Sequence, residues 1–258
     1  MIEVKDLSVK YGGVTSLDGM NLLFTSGVCG LIGPNGAGKT TFFNVLSGFV
    51  RPASGAVTAF GDDLLRMAHY RRARWGVRRT FQTEQAISDL TVYDNVAMIH
   101  SKLRGSLRRD DILQAIEFVG GGISPWAKVG SLTAGQRRLV EVARTVAGKP
   151  RLILLDEPAA GLPDGETSHL TGVIKNIPAH TGALTILVDH DMALVSAVCE
   201  MTAVLDFGKL IASGPTAQVL RDEQVMRAYL GTEEVVLCLH LNSVRSPSSA
   251  VAGRSSRT

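Results

Sequence analysis

Cysteine is scarce: Cys29, Cys199 and Cys238 are the three in 258 residues, and none stands in a CxxC spacing. Their odd number and wide separation argue against a disulfide framework or a zinc site, and a reducing cytosol is the expected setting. Nothing approaches the roughly 18 consecutive apolar residues that a membrane helix requires. If the protein works at a membrane, another polypeptide must do the spanning. The opening MIEVKDLSV alternates apolar and polar like a strand, without the basic-then-apolar layout of a signal peptide. No segment recurs at a period of about 20 to 50 residues, which sets repeat architectures aside. A formal net charge of +3 is too small to point to nucleic acid by itself.

What is present is a chain with 45% hydrophobic residues, enough for one large α/β domain or two closely packed subdomains with a real core. Val28 to Ile32 is a short apolar run that meets a glycine-rich turn, followed by TTFFNVLSGF with apolar residues at helical spacing; this predicts strand, loop, helix. Leu152 to Leu155 and Leu184 to Val188 are further apolar runs, suited to strands covered on both faces. Strands alternating with helices imply a parallel sheet with helices on both sides, and ligands at the carboxyl ends of the strands. Between about residues 89 and 148 the pattern turns helical, as in DDILQAIEFVG and QRRLVEVARTVAG, and predicts an inserted helical subdomain. Two β-prone stretches around Gly208 predict a hairpin. VVLCLHL could add an edge strand. From Ser243 the chain is rich in serine and arginine, and residues 232–258 are expected to form a disordered tail.

The chemistry starts at GPNGAGKT: Gly33, Pro34, Asn35, Gly36, Ala37, Gly38, Lys39 and Thr40 satisfy G-x-x-x-x-G-K-[ST] between a strand and a helix. Glycines let the backbone approach bulky anionic phosphates, N–H groups point inward, and the helix N-terminus adds partial positive charge. Lys39 is expected to reach the β- and γ-phosphates of ATP, Thr40 to give its hydroxyl to Mg2+, and Thr41 to help hold the α-phosphate. LLDEP then places two carboxylates at the end of an apolar strand, where buried charge is costly unless a cation compensates. Asp156 fits a partner of magnesium lying just outside its direct ligands, and Glu157 fits the group that polarises attacking water.

LTAGQRRLVEVAR, residues 132–144, reads as a glycine turn feeding a basic amphipathic helix, a second anion site. On these residues the chain resembles the ATP-binding cassette (ABC) family, whose L-S-G-G-Q signature completes the active site of a partner subunit across a head-to-tail dimer. Thr133 stands for the signature serine, whose hydroxyl contact with the γ-phosphate it can keep, and Ala134 for its first glycine, while Gly135 and Gln136 match. The resemblance covers about residues 1–231 and implies a P-loop NTPase (RecA-like) α/β core with an antiparallel β subdomain and an inserted α-helical subdomain. It implies further that Tyr11 stacks on adenine and that Gln82 senses magnesium and the γ-phosphate. His190 would contact the γ-phosphate and orient Glu157 and water; the other histidines read as surface or packing residues. AAGLPD, residues 159–164, occupies the loop that crosses the dimer interface, with Pro163 where most of the family has aspartate.

Within the family, DEPAAGL, VDHDM and RAYLG look like the ATPase subunits of branched-chain amino acid importers, and DGET is also similar to relatives serving urea or short amides. The resemblance implies transmembrane permease subunits, a second ABC ATPase subunit (identical or not) and, indirectly, a solute-binding protein as partners, without nucleic acid. It places the chain peripherally on the cytoplasmic face of the membrane. The arginine-rich RRARWGVRR, residues 71–79, reads either as a contact to the membrane subunit or anionic headgroups or as a solvated basic face of the β-rich subdomain, and the second is favoured. A soluble ABC machine acting on DNA or ribosomes is the rival class; the missing long coiled coil and the single cassette argue against it. A binding module without turnover is the other, disfavoured by Glu157 together with His190.

Overall fold

A computed structural model describes residues 1–100 and 108–229; the predicted tail, its VVLCLHL segment and Cys238 lie outside the described residues. Strands β1 (Ile2–Tyr11), β2 (Val14–Phe24) and β3 (Val28–Ile32) lead to helix α1 (Lys39–Ser47), then β4 (Ser54–Ala59), β5 (Asp62–Asp63), α2 (His69–Trp75) and β6 (Val77–Arg79). Three helices follow: α3 (Val92–His100), α4 (Arg109–Val119) and α5 (Ala134–Val146). The chain then alternates through β7 (Leu152–Asp156), α6 (Asp164–Thr181), β8 (Leu184–Val188) and α7 (Met192–Val198). It ends with β9 (Met201–Asp206), β10 (Lys209–Pro215), α8 (Thr216–Val219) and α9 (Glu223–Tyr229).

Two sheets result. A four-stranded antiparallel sheet has the order β2-β1-β4-β5, and a six-stranded sheet has the order β10-β9-β3-β8-β7-β6. In the second, β9, β3, β8, β7 and β6 are parallel and only β10 turns back. The predicted P-loop core, antiparallel β subdomain, helical insertion and hairpin around Gly208 are therefore all present. The three predicted buried strands fall at their expected places, β7 running one residue further to Asp156.

The apolar runs are continuous because both faces of the parallel sheet are covered. Along β7, Leu152 and Leu154 join the core shared with α1 and the antiparallel sheet, while Ile153 and Leu155 join the core shared with the helices. Helix α1 buries Phe42, Phe43, Val45 and Leu46 between the two sheets. Truncating any of these large side chains to alanine costs about 2–5 kcal/mol. That wedge fixes the helix N-terminus, and with it the loop that enters it.

Sheet order decides what meets at the functional edge. Strands β3, β8, β7 and β6 are consecutive neighbours running in the same direction. Their carboxyl ends bring together segments far apart in sequence, as open α/β sheets do at their ligand crevices.

Candidate functional site

The phosphate-loop candidate leaves β3 and enters α1. Gly33 (φ 149°) has the carbonyl oxygen of Leu205 where a Cβ would stand, and Gly38 (φ 104°) has the Ser16 carbonyl oxygen 2.6 Å from that position. Both glycines are thus demanded by left-handed backbone and by crowding from β9 and β2. Around them, Asn35, Gly36 and Thr40 are exposed, Pro34 is half-buried and Ala37 is buried. Thr41 is tied to β2 by a 2.7 Å hydrogen bond between its hydroxyl and that of Ser16. Tyr11, half exposed at the tip of the β1–β2 hairpin, pairs with Val14, two residues before Ser16. The tip therefore lies along the strand that braces the phosphate loop.

Lys39 is buried and folds across its own loop, its ammonium donating to the carbonyl oxygens of Gly33 (2.6 Å) and Pro34 (2.9 Å). Burial lowers its pKa, and the nearby carboxylates of Glu157 and Asp156 pull it back up. To reach phosphates the side chain exchanges these two carbonyls for phosphate oxygens, a charge-assisted and stronger partner.

At the end of β7, Asp156 is 2% exposed while Glu157 is partly open. Glu157 adopts φ 46°, a left-handed conformation unusual for a side-chain-bearing residue, and its N–H donates to the Val188 carbonyl at 2.8 Å. The kink turns its carboxylate off the strand's alternation, so two adjacent acids take different environments. Strain of this kind clusters at functional sites. Burial raises the Asp156 pKa, opposed by the hydrogen bond and charge of Arg79 and by the charge of Lys39. Asp156 Oδ1 is buried and takes no hydrogen bond from the described residues. That bare oxygen, with the exposed Thr40, suits a magnesium ion, which is held by one or two protein oxygens together with substrate phosphates and waters. No cluster of three His, Cys, Asp or Glu side chains suited to an all-protein metal cage occurs among the described residues.

His190 follows β8, with its side chain 55% exposed. The preceding Asp189 is buried, and its Oδ1 accepts from the N–H groups of His190 (2.8 Å) and Asp191 (3.0 Å). Burial raises the Asp189 pKa against those donors and the neighbouring imidazole. His190 shares the sheet edge with Glu157 but makes no hydrogen bond to it.

Gln82 is exposed, and its loop is strapped to α5. Arg138 donates to the Gln82 carbonyl (3.1 Å) and pairs with Glu141 (2.9 Å), whose other oxygen accepts from the Gln85 N–H (2.6 Å). Arg144 donates to the Gln85 carbonyl (2.8 Å), and Arg137 pairs with Glu84 (3.0 Å). The basic face read in the sequence as part of an anion site thus spends its arginines on this loop. What remains for an anion is the N-terminus of α5. There Thr133 and Gln136 form a reciprocal capping box, which explains the residue types at these two signature positions on local grounds. The Thr133 hydroxyl also donates to Glu166 Oε1 at 2.9 Å, and the Glu166 carboxylate covers the spot a Gly135 side chain would fill. Expected to meet a γ-phosphate, this hydroxyl is engaged within its own chain. Pro163 caps α6, with Asp164 and Glu166 in the helix's first turn, where acidic groups meet the positive end of the dipole.

The arginine-rich stretch corrects the reading of a solvated face in the β-rich subdomain. It lies on α2 and β6, the latter the edge strand of the parallel sheet, and three of its arginines are withdrawn from solvent. Arg72 donates to the Val45 and Leu46 carbonyls and so satisfies the C-terminal turn of α1; Arg78 donates to backbone at Ala73 and Val77, and burial lowers its pKa to about 10. Arg79 pairs with Asp156. Guanidinium groups can enter an interior that supplies carbonyls and a carboxylate in fork geometry, and composition alone does not reveal those acceptors. Arg71 and Arg74 stay against the exposed Tyr70 ring.

A family model described as "ABC transporter" matches residues 17–160, more than half the chain. A second, described as "Branched-chain amino acid ATP-binding cassette transporter", matches residues 209–235. The chain is 33% identical over 250 residues to the high-affinity branched-chain amino acid transport ATP-binding protein BraF of Pseudomonas aeruginosa, with 90% of this chain and 98% of the relative covered. It is 34% identical over 236 residues to the lipopolysaccharide export system ATP-binding protein LptB of Escherichia coli, again covering 90% and 98%. The solved ADP conformation of an ATP-binding cassette of an ABC transporter matches with a TM-score of 0.80 and 26% identity, over 90% of this chain and 98% of the other.

Proposed function

Because the chain belongs to the ABC transporter family of ATP-binding proteins, we propose that it is the ATP-hydrolysing subunit of an importer for branched-chain amino acids. The observation that carries the ATPase reading is the convergence of the phosphate loop, Asp156–Glu157, His190 and the Gln82 loop at the carboxyl ends of β3, β7, β8 and β6. The solute rests on the match over residues 209–235, because overall identity to the lipopolysaccharide exporter subunit is just as high. Residues 1–231 form the ATPase unit.

ATP sits with its adenine on Tyr11 and its phosphates in the Gly33–Thr40 loop, Thr41 helping at the α-phosphate. Thr40 and Asp156, with Gln82 nearby, would hold magnesium, which would supply positive charge against the β- and γ-phosphates. Glu157 accepts a hydrogen bond from the attacking water, which adds to the γ-phosphorus as ADP leaves. His190 contacts the γ-phosphate and keeps water and Glu157 in line. The Thr133, Gly135 and Gln136 turn of a second cassette, identical or not, closes over the γ-phosphate, so Glu166 must first release Thr133. Hydrolysis then separates the pair.

Among the described residues no helix is long and apolar enough to cross a membrane. A separate permease does the spanning, this subunit docks on its cytoplasmic face, and a solute-binding protein acts on the other side. The test is expression with the permease candidates in a strain whose branched-chain importer ATPase has been deleted. Restored uptake of labelled leucine that is abolished by Glu157→Gln supports the reading. Rescue of a second strain depleted of its lipopolysaccharide exporter ATPase, without leucine uptake in the first, favours the exporter, and magnesium-dependent hydrolysis undetectable in the purified chain and in the complex rejects the ATPase role.

A further inference from the structure

Arg79 is withdrawn into the site, its side chain 7% exposed against 3% for Asp156. Its Nη2 donates to Asp156 Oδ2 at 2.9 Å, and its Nη1 donates to Asn44 Oδ1 at 2.7 Å and reaches Ser47 Oγ at 3.4 Å, both on α1. The guanidinium carbon lies 5.4 Å from the centre of the Phe43 ring and 5.0 Å from that of Phe81. One planar cation thereby bridges the end of β7, the helix that follows the phosphate loop, and the residue before Gln82. The next residue in β6's path, Thr80, accepts from the Asp156 N–H at 3.0 Å, so backbone and carboxylate are both held from this side.

The two carboxylate oxygens of Asp156 are treated differently. Oδ2 is fixed by Arg79; Oδ1 is buried with no donor from the described residues. With one oxygen fixed, the carboxylate cannot swing about its last torsion without breaking a buried ion pair. A rigid fork suits that task, and a flexible ammonium could reproduce only part of it. We infer that Arg79 is a positioning residue for the magnesium ion of bound MgATP: it locks Asp156 so that Oδ1 is presented to the metal's ligand shell. Through the Phe81 ring the same cation couples that orientation to the Gln82 loop. The inference rests on the MgATP reading above. Groups that hold a metal's partners in place typically affect metal affinity by about 10- to 100-fold when removed.

The test compares wild type, Arg79→Gln and Arg79→Lys in purified protein. The half-saturating Mg2+ for ATP hydrolysis is measured, with Mn2+ binding followed by electron paramagnetic resonance in the presence of ATP and a Glu157→Gln background. Binding of a fluorescent ATP analogue in EDTA reports the phosphate loop without metal. Arg79→Gln is expected to raise the Mg2+ and Mn2+ requirement about tenfold or more, with metal-free nucleotide affinity within about twofold of wild type. Arg79→Lys is expected to fall between, and it alone decides the matter if Arg79→Gln fails to fold. An unchanged or lower metal requirement overturns the inference, the lower value meaning that Arg79 competes with the metal. Equal losses with and without metal also overturn it, by making Arg79 a support of α1. Wild-type protein lacking magnesium-dependent hydrolysis would instead reject the ATPase reading, so the two failures are distinct.

Discussion

Two helix N-termini in this chain carry glycine, in the loop before α1 and in the first turn of α5, and they are built to opposite standards. The loop from Gly33 to Lys39 is clamped by β2 and β9, crosses left-handed glycines that have no room for a side chain, and closes on its own lysine. The start of α5 leaves Thr133 and Ala134 exposed, is capped by its own threonine and glutamine, and has Gly135 covered by a carboxylate from α6. On the proposed reading the first needs only Lys39 to exchange its two carbonyl partners for phosphate oxygens, because a buried scaffold already holds the backbone in place. The second lacks a ligand within its own chain and is held by a contact that must break. Under the proposed head-to-tail arrangement, a single cassette would carry one half-site ready for nucleotide and one that a neighbour completes.

That asymmetry can be broken experimentally. Glu157→Gln should lower ATP turnover by about 100- to 10,000-fold while nucleotide binding persists, giving an ATP-trapped dimer on size-exclusion chromatography. Brisk turnover in that variant removes Glu157 from its role. Lys39→Ala should weaken nucleotide binding in the isolated chain, since each charge-assisted hydrogen bond to phosphate is worth about 1.5–3 kcal/mol, or roughly 10- to 150-fold; equilibrium dialysis with labelled ATP measures it.

A sharper experiment sets the turns against each other in trans. Gly135→Asp should leave nucleotide affinity of the single chain unchanged and abolish ATP-driven pairing, because its side chain is forced against the Glu166 carboxylate and adds negative charge at the N-terminus of α5, where the partner's γ-phosphate has to approach. Mixed with Lys39→Ala, it should recover activity that neither variant has alone, since a mixed pair holds one intact phosphate loop opposite one intact signature. Absence of recovery in mixtures that do associate would argue against the head-to-tail site. The smallest effect is expected from Glu166→Gln, which weakens the hold on Thr133. An exposed contact of this kind is worth about 0.2–1 kcal/mol, so the ATP concentration needed for pairing should fall by up to about fivefold in the Glu157→Gln background. Light scattering against ATP concentration reads the shift, and a higher requirement would make Glu166 a support of the signature instead.

The two turns were unequally legible for the same reason that they differ in build. Everything in the phosphate loop that matters is spelled within eight consecutive residues, and Thr133 with Gln136 is a capping signal within four. The burial of Arg72, Arg78 and Arg79 was misread because a run of arginines in a sequence carries no sign of the carbonyls of α1 or the carboxylate of β7 that receive them. The arginines of α5 were visible as a basic face, yet their partners Glu84, Gln85 and Gln82 lie in a loop more than 50 residues earlier. Asp156 and Arg79 are 77 residues apart, and Thr133 and Glu166 are 33 apart. No periodicity links either pair.

Local order was written in the chain itself: strand runs, helix caps, left-handed glycines and the phosphate loop follow from short-range sterics and hydrogen bonding, which depend on neighbours along the backbone. The placing of β6 beside β7, and with it the ion pair between Arg79 and Asp156, came from packing alone. Strand order is chosen by which faces bury the most apolar surface together, a property of the assembled sheet that no single segment contains.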